Sequence, residues 1–267
     1  MFIDTHCHLQ FSDFDEDRAM VIGNAKKAGV KKFICPGTDL LSSKKAIALA
    51  EQHQGIIYVS VGFHPYKAQH NPNVKELEKL ILSSSLSHPS SLIPHHSIVA
   101  IGECGLDYRA YKGEPATGKK DAQKGLFAEQ LELANKQNLP VIMHCRNAYD
   151  DFFDVFDSLP SQPAGVIHCF SGGLQEIRMA QKRNLFIGLD GNLTYSTHLQ
   201  TIVPSIPLSM ILLETDAPYL TPIPHRGKRN EPKYLPLVAK AIARLQGISV
   251  KTVEETTITN ANNLFHV

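Results

Sequence analysis

His6 and His8, one residue apart, together with Glu103, His144, His168 and Asp216, are the side chains of this chain best suited to hold divalent metal ions. Imidazole nitrogens and carboxylate oxygens ligate such ions at ~2.0–2.2 Å. Each candidate stands at or just past the end of a short apolar run: FIDTHCH, IVAIGE, PVIMH, GVIH and ILLETD. Residues i and i+2 of a strand share a face, so His6 and His8 can chelate one ion. Asp4 shares that face and can support the site or join it. A carboxylate such as Glu103 can bridge two cations, which neutral imidazole does not do. A single histidine at a strand tip is more often structural than a ligand; four histidines with two carboxylates can supply a two-metal site. Asp216 has a second role open to it, accepting the proton of an attacking water. Glu214, two residues earlier, faces the same way and can hold a further cation or orient a ligand from behind.

Other groups suit a phosphate. His64 ends a run in VGFHP, and Arg146 lies two residues past His144. His225, Arg226, Lys228 and Arg229 cluster just after Asp216, and the guanidinium of Arg226 or Arg229 matches a phosphate bidentately. A solvated basic loop is the plainer account of that cluster. The chain contains no GxxxxGK[ST], GxGxxG or GxSxG, so those nucleotide-binding loops and that serine nucleophile are unsupported.

Eight apolar runs must position these groups: Phe2–Thr5, Val30–Cys35, Ile56–Gly62, Ile98–Gly102, Pro140–Met143, Gly165–Ile167, Leu185–Leu189 and Met210–Leu213. Runs of β-branched and aliphatic residues read as buried parallel strands. Helical periodicity fills the gaps at Arg18–Ala28, at Ser42–His53 with Ser42 as the cap, at Gly125–Gln137 and at Gln175–Arg183. Two more helices are expected at the end, over Glu231–Gln246 and after a Ser249 cap. Alternating strands and helices describe an α/β chain, and eight units predict one (β/α)8 TIM barrel domain over residues 1–267. Its metal site would lie on the C-terminal rim of the strands. Ser83–Ser97 reads as a surface loop. Ala110–Lys124, with Lys112, Lys119, Lys120 and Lys124, reads as a loop on the rim.

The 267 residues carry a net charge of +1 and are 43% hydrophobic, which excludes a disordered chain and a strongly basic nucleic-acid coat. No run approaches the ~18 apolar residues of a membrane span. MFIDTHCH lacks a basic leader and a long apolar stretch, so the reading places the protein in the cytoplasm or nucleus. Five cysteines without a CxxC pair argue against a disulfide framework. Cys7, Cys104, Cys145 and Cys169 each adjoin a proposed ligand and are expected to point the opposite way, under the helices.

The motifs FIDTHCHL, VGFHP, AIGECGLDY, PVIMHCRNA, VIHCFSG, GLDGNLTY, LLETDAPYLTP, RGKRNEP and NANNLF follow one another from end to end. In this combination and order the chain resembles the TatD-like metal-dependent deoxyribonucleases of the amidohydrolase-type barrel superfamily. The resemblance implies His6, His8 and Asp216, with Glu103, as the ligands of one ion, and Glu103, His144 and His168 as those of a second. Many members of the wider superfamily bridge their metals with a carbamylated lysine; Glu103 at that strand departs from them and argues against phosphotriesterase- or dihydroorotase-like enzymes.

The implied activity is hydrolysis of DNA phosphodiesters from a 3′ end, with two Mg2+, Mn2+ or Zn2+ ions and a metal-activated water. Asp216 and Glu103 are its catalytic residues, and His64, Arg146, Arg226 and Arg229 contact the substrate. No obligate protein partner and no membrane are implied. An alternative enzyme is a hydrolase of another ester or amide, such as an aminoacyl-nucleic acid, because the ligands do not distinguish phosphorus from carbon electrophiles. A non-catalytic nucleic-acid or metal-binding protein is the reading of another class; such a protein needs no open metal site.

Overall fold

The computed structural model describes residues 1–86, 97–109 and 119–267. Eight strands stand in chain order in one sheet: β1 (Phe2–Asp4), β2 (Val30–Pro36), β3 (Ile57–Val61), β4 (Ile98–Asp107), β5 (Val141–Arg146), β6 (Gly165–His168), β7 (Phe186–Leu189) and β8 (Ile211–Leu213). The pairs β1–β2, β3–β4, β4–β5, β6–β7 and β7–β8 run parallel. Helices α1 (Arg18–Lys27), α2 (Leu40–Gln52), α3 (Val74–Leu86), α4 (Lys120–Gln137), α5 (Tyr149–Ser158), α6 (Leu174–Lys182), α7 (Thr197–Ile202), α8 (Leu235–Gln246) and α9 (Val250–Phe265) alternate with them. The fold is the (β/α)8 barrel, and all eight apolar runs are strands. Among the described residues no helix is long and apolar enough to cross a membrane.

The chain divides into two compact units, residues 1–35 with 166–267, and residues 36–165. In the first, the rows Val166/Phe186 and Ile187/Ile211 pair across β6, β7 and β8. The NANNLF segment has a structural role there. Asn260 in α9 donates to the carbonyls of Leu208 (2.9 Å) and Ile211 (2.8 Å), fixing the start of β8, while Leu264 and Phe265 are buried. In the second unit, Phe127 of α4 stacks on Phe152 of α5 at 5.1 Å, and these helices pack on β4 and β5 respectively.

Several boundaries differ from the expectations. Glu103 does not close its strand: β4 continues four residues further, to Asp107. The register slips between Ile101 and Cys104, and Gly102 (φ +146°) and Gly105 (φ +130°) make the slip possible. A Cβ would stand 2.5 Å from the Ile142 carbonyl oxygen at Gly102 and 2.0 Å from that of His144 at Gly105. The cap of α2 is Asp39, whose carboxylate accepts from the Ser42 amide at 2.8 Å; Ser42 lies inside the helix. Ser249 does cap α9, accepting from the Thr252 amide.

Helices α3, α5 and α7 have no counterpart in the periodicity reading. In α5 the burial of Phe152, Phe153 and Phe156 outweighs the modest helix preference of aromatic residues. Residues 83–86, expected in a loop, end α3, and α4 begins at Lys120 rather than Gly125. The remainders of the two expected loops, 87–96 and 110–118, lie outside the described residues.

The cysteines are all free thiols. Cys7 and Cys104 are buried with sulfur 3.8 Å from the Ile34 and Ile142 carbonyl oxygens. Cys169 departs from the pattern: it has φ +45°, is only partly buried, and its sulfur lies 3.8 Å from the Asn192 amide nitrogen.

Candidate metal centres

Each unit gathers a ligand cluster of its own at the C-terminal ends of its strands. In the first unit, His6 Nε2 lies 3.3 Å from His8 Nε2, and Asp216 Oδ1 lies 3.7 and 3.4 Å from those two atoms. Two ligands bound at ~2.1 Å to one ion sit at about this separation. His168, ending β6, stacks on His6 with ring centres 3.9 Å apart and planes 9° from parallel. Glu214, just past β8, lies 3.8 Å from His168 Nδ1. Its Oε1 accepts from the Cys169 amide at 2.5 Å. Gly188 leaves room for that carboxylate, since a Cβ there would stand 2.4 Å from Glu214 Oε2.

The backbone aims these groups. Asp4 accepts from the His6 amide (3.3 Å), the Thr215 amide (3.0 Å) and the Thr215 hydroxyl (2.6 Å), tying the exits of β1 and β8 together. Asp4 therefore supports the site from behind. Asp216 takes a left-handed conformation (φ +55°), and such a departure in a non-glycine residue concentrates at functional sites. Burial pushes Asp4 up to about 8, against the Thr215 bonds. Asp190, at the tip of β7, is pushed up to about 8 by burial and then by the charge of Glu214. Burial raises Asp216 as well, but the bond from His8 and the charges of His6, His8 and His168 outweigh it and hold this carboxyl below the ordinary value.

Glu214 Oε2 is buried with no hydrogen-bond partner among the described residues. An uncompensated buried carboxylate oxygen is costly, and a bound cation offsets that cost. The donor set and this orphaned oxygen together fit a divalent ion.

In the second unit Glu103 Oε1 lies 3.0 Å from His144 Nδ1 and 3.5 Å from His64 Nε2. His64, expected to contact substrate, thus joins a ligand cluster. The other nitrogen of His144 meets Asp107 Oδ2 at 3.2 Å, and a carboxylate there fixes the tautomer that leaves Nδ1 as a ligand. Burial raises Asp107, yet the bond and charge of His144 prevail and keep it below the ordinary value. Two glutamines of α4, seven residues apart, anchor the cluster. Gln130 bonds both backbone groups of Phe63, beside His64, at 2.7 and 3.0 Å. Gln123 does the same for Asp107 at 2.8 and 2.9 Å. Each side chain imitates a neighbouring strand.

The expected phosphate ligands separate. Arg146 is exposed at the end of β5. Arg226 is exposed, its guanidinium 4.2 Å over the Tyr195 ring. Arg229 is committed within the protein, with a two-point bond to Asp17 (2.9 and 2.6 Å), a bond to the Asp13 carbonyl and a place over the Phe14 ring.

Asp107, Asp190, Gln123, Gln130 and Thr215 escaped the sequence reading. For Asp190 a signal existed, because an acid follows the apolar run of GLDGNLTY as it does elsewhere. The glutamines carry no such mark.

The family model described as TatD related DNase matches residues 3–266. Over 270 residues the chain is 36% identical to the 3'-5' ssDNA/RNA exonuclease TatD of Cronobacter sakazakii, covering 98% of this chain and 97% of that protein. It is 34% identical over 270 residues to the uncharacterized metal-dependent hydrolase YabD of Bacillus subtilis, covering all of both. The crystal structure of YJJV, a TatD homolog from Escherichia coli K12, superposes with a TM-score of 0.86 at 31% identity, covering 100% of this chain and 98% of that one.

Proposed function

This chain belongs to the TatD-related DNase family of metal-dependent hydrolases, and on that premise we propose that it is a deoxyribonuclease that removes nucleotides from the 3′ end of DNA with two divalent ions. Residues 1–267 serve as one hydrolase domain. The observation that carries this reading is the convergence of His6 Nε2, His8 Nε2 and Asp216 Oδ1 within 3.7 Å of one another. The 36% identity to a 3'-5' ssDNA/RNA exonuclease supports a nucleic-acid substrate.

His6, His8 and Asp216, with His168 and Glu214 beside them, are the residues that would hold one ion, which takes His168 out of the second ion's set that the resemblance implied; Glu103 and His144, with His64, would hold the other. When bound, such ions lower the pKa of water and neutralise charge on a phosphate. Asp216 positions the attacking water and accepts its proton. Glu103 Oε1, 3.0 Å from His144 Nδ1, would share that second ion with it. Arg146 and Arg226 present exposed guanidiniums to the backbone phosphates. Arg229 acts differently from the other two, by holding the loop that carries Arg226 against Asp17.

The test is cleavage of end-labelled single- and double-stranded DNA by metal-stripped protein, then after Mg2+, Mn2+ or Zn2+ is restored. Metal-dependent shortening from the 3′ end is expected. In Asp216→Ala, kcat should fall roughly 10^2–10^4-fold while DNA affinity falls much less. Equal losses of both would refute the catalytic assignment. Folded, metal-bound protein that cleaves no DNA would redirect the reading to esters and amides such as aminoacyl-nucleic acids.

A further inference from the structure

We propose that Tyr195 and Arg226 form a preassembled phosphate clamp on the rim of the first unit, in which Tyr195 is the positioning residue and Arg226 takes one particular phosphate of the bound strand. This inference rests on the nuclease reading above and deepens it, by naming what holds that arginine ready and what it fixes in the substrate.

The basic loop after β8 reads in sequence as solvated, yet it is braced throughout. The Thr221 hydroxyl donates to the Lys228 carbonyl at 2.5 Å and closes the loop across its base. Inside it, the His225 amide donates to the Pro222 carbonyl at 2.8 Å and the Lys228 amide to the His225 carbonyl at 3.1 Å. Arg229 ties its far end to Asp17. The turn after β7 supports the loop from the side, where the Ile223 amide donates to Thr194 Oγ1 at 2.9 Å. Gly191 permits that approach, since a Cβ there would stand 2.0 Å from the Leu220 carbonyl oxygen. Residues 191–195 and 220–229 thus form one connected piece of rim.

Arg226 joins the two halves of this piece. Its guanidinium stands 4.2 Å over the half-buried Tyr195 ring, while the residue is exposed and no carboxylate among the described residues pairs with it. Arg229, three positions on, shows how an arginine that serves the loop behaves: it is spent on an acid. A ring beneath a guanidinium restrains it without using its N–H donors, which stay available for a ligand. Charges connect the pair with the ligand cluster. Burial and then the charge of Asp190 raise the Tyr195 phenol, and Arg226 acts against them. Asp190 is itself raised by burial and by the charge of Glu214. Neighbouring groups therefore run from Glu214 through Asp190 and Tyr195 to Arg226, and a phosphate on Arg226 can belong to a strand whose end lies in the cluster. Because ring and loop are set before any ligand arrives, little ordering entropy opposes a bidentate contact. A single fixed cation makes one phosphate count for more than its neighbours.

The experiment uses holoenzyme of wild type, Arg226→Gln, Tyr195→Leu, Tyr195→Phe and the double variant Tyr195→Leu/Arg226→Gln. The probe is a fluorescent single-stranded oligonucleotide with a phosphorothioate-protected 3′ end, in a series where one linkage at a time is a neutral methylphosphonate. Binding is read by anisotropy. In wild type, neutralising one linkage apart from that at the metal ions should weaken binding about 10- to 150-fold. Arg226→Gln should lose about the same factor on the fully charged strand, become indifferent to that linkage, and show a salt slope lower by about one. Tyr195→Leu should lose roughly 2- to 5-fold, with no further loss in the Arg226→Gln background, and Tyr195→Phe, which keeps the ring, should recover it. On cleavable strands the losses should fall on KM rather than kcat. If Arg226→Gln still singles out the same linkage, the clamp is overturned. It is overturned equally if Tyr195→Leu costs as much in the Arg226→Gln background as alone, which would make the ring merely structural, or if wild type responds at no such linkage. Wild type that responds at that linkage yet cleaves no DNA defeats the nuclease reading instead and leaves the clamp standing.

Discussion

The two ligand clusters are built on opposite electrostatic plans. In the unit formed by residues 1–35 and 166–267, burial prevails at two acids, although His8, His6 and His168 hold Asp216 low. Asp4 and Asp190 are pushed up to about 8, and Glu214 keeps a buried oxygen with no hydrogen-bond partner among the described residues. In the unit formed by residues 36–165, the acids are matched. Asp107 is held low by His144, and Glu103 faces both His64 and His144. Exposure differs in the same sense: the His6 side chain is wholly buried, while His64 and His144 retain 15% and 14%. The first cluster thus buries acids whose charged forms are poorly compensated, a cost that a cation would offset, whereas in the second the bond and charge of His144 compensate Asp107. Burial of an acid without a cation is costly, so dependence on metal should be concentrated in the first.

The sharpest way to break this contrast is a pair of isosteric changes. Glu214→Gln should cost more metal affinity than the roughly 10–100-fold typical of losing an outer partner, and Asp107→Asn should cost about that range. Stripped of metal, the two variants should move in opposite directions. Glu214→Gln replaces a carboxyl whose buried Oε2 has no hydrogen-bond partner among the described residues and should raise Tm, while Asp107→Asn breaks the bond to His144 and should lower it. Isothermal titration and thermal unfolding would check both, and Tm shifts of the same sign would end the contrast.

Next in size is a backbone test. Gly102→Ala brings a Cβ to 2.5 Å from a backbone oxygen at φ +146° and should destabilise by about 1–3 kcal/mol or more, reducing Glu103-dependent activity with it. Gly23→Ala in α1 meets nothing within 4 Å and should stabilise by about 0.5–1 kcal/mol. Denaturant unfolding of both variants decides whether the irregular strand, rather than glycine replacement as such, is at stake.

The smallest effect concerns Asp17, whose carboxyl is lowered chiefly by its bond to Arg229. A folded value below the unfolded one adds stability above the ordinary 3.8 and loses it as pH falls through the folded value. Arg229→Ala should therefore lower Tm slightly at neutral pH, with the difference from wild type vanishing in acid. A difference that persists in acid would show that Arg229 acts mainly by packing on Phe14.

The eight strands and the cap at Ser249 were legible in the sequence, because each depends on a few consecutive residues whose period and chemistry are visible in one dimension. Helix α5 escaped because its three buried phenylalanines favour a helix only where α4 and the strands wait to receive them. The extent of β4 escaped because the glycines beside Glu103 read as an end, whereas the close approach of β5 makes them a bend within the strand.

The sequence by itself determined the kind of barrel and the residue types its rim would offer, since alternation along a strand dictates which side chains face inward together. Only the tertiary structure decided which of them meet. It put His64 beside Glu103 and His144, gave Asp107 to His144, spent Arg229 on Asp17 and used two glutamines of α4 as surrogate strands. These contacts join residues up to 212 positions apart, and their energies depend on burial and on the surrounding charges, which no local pattern contains.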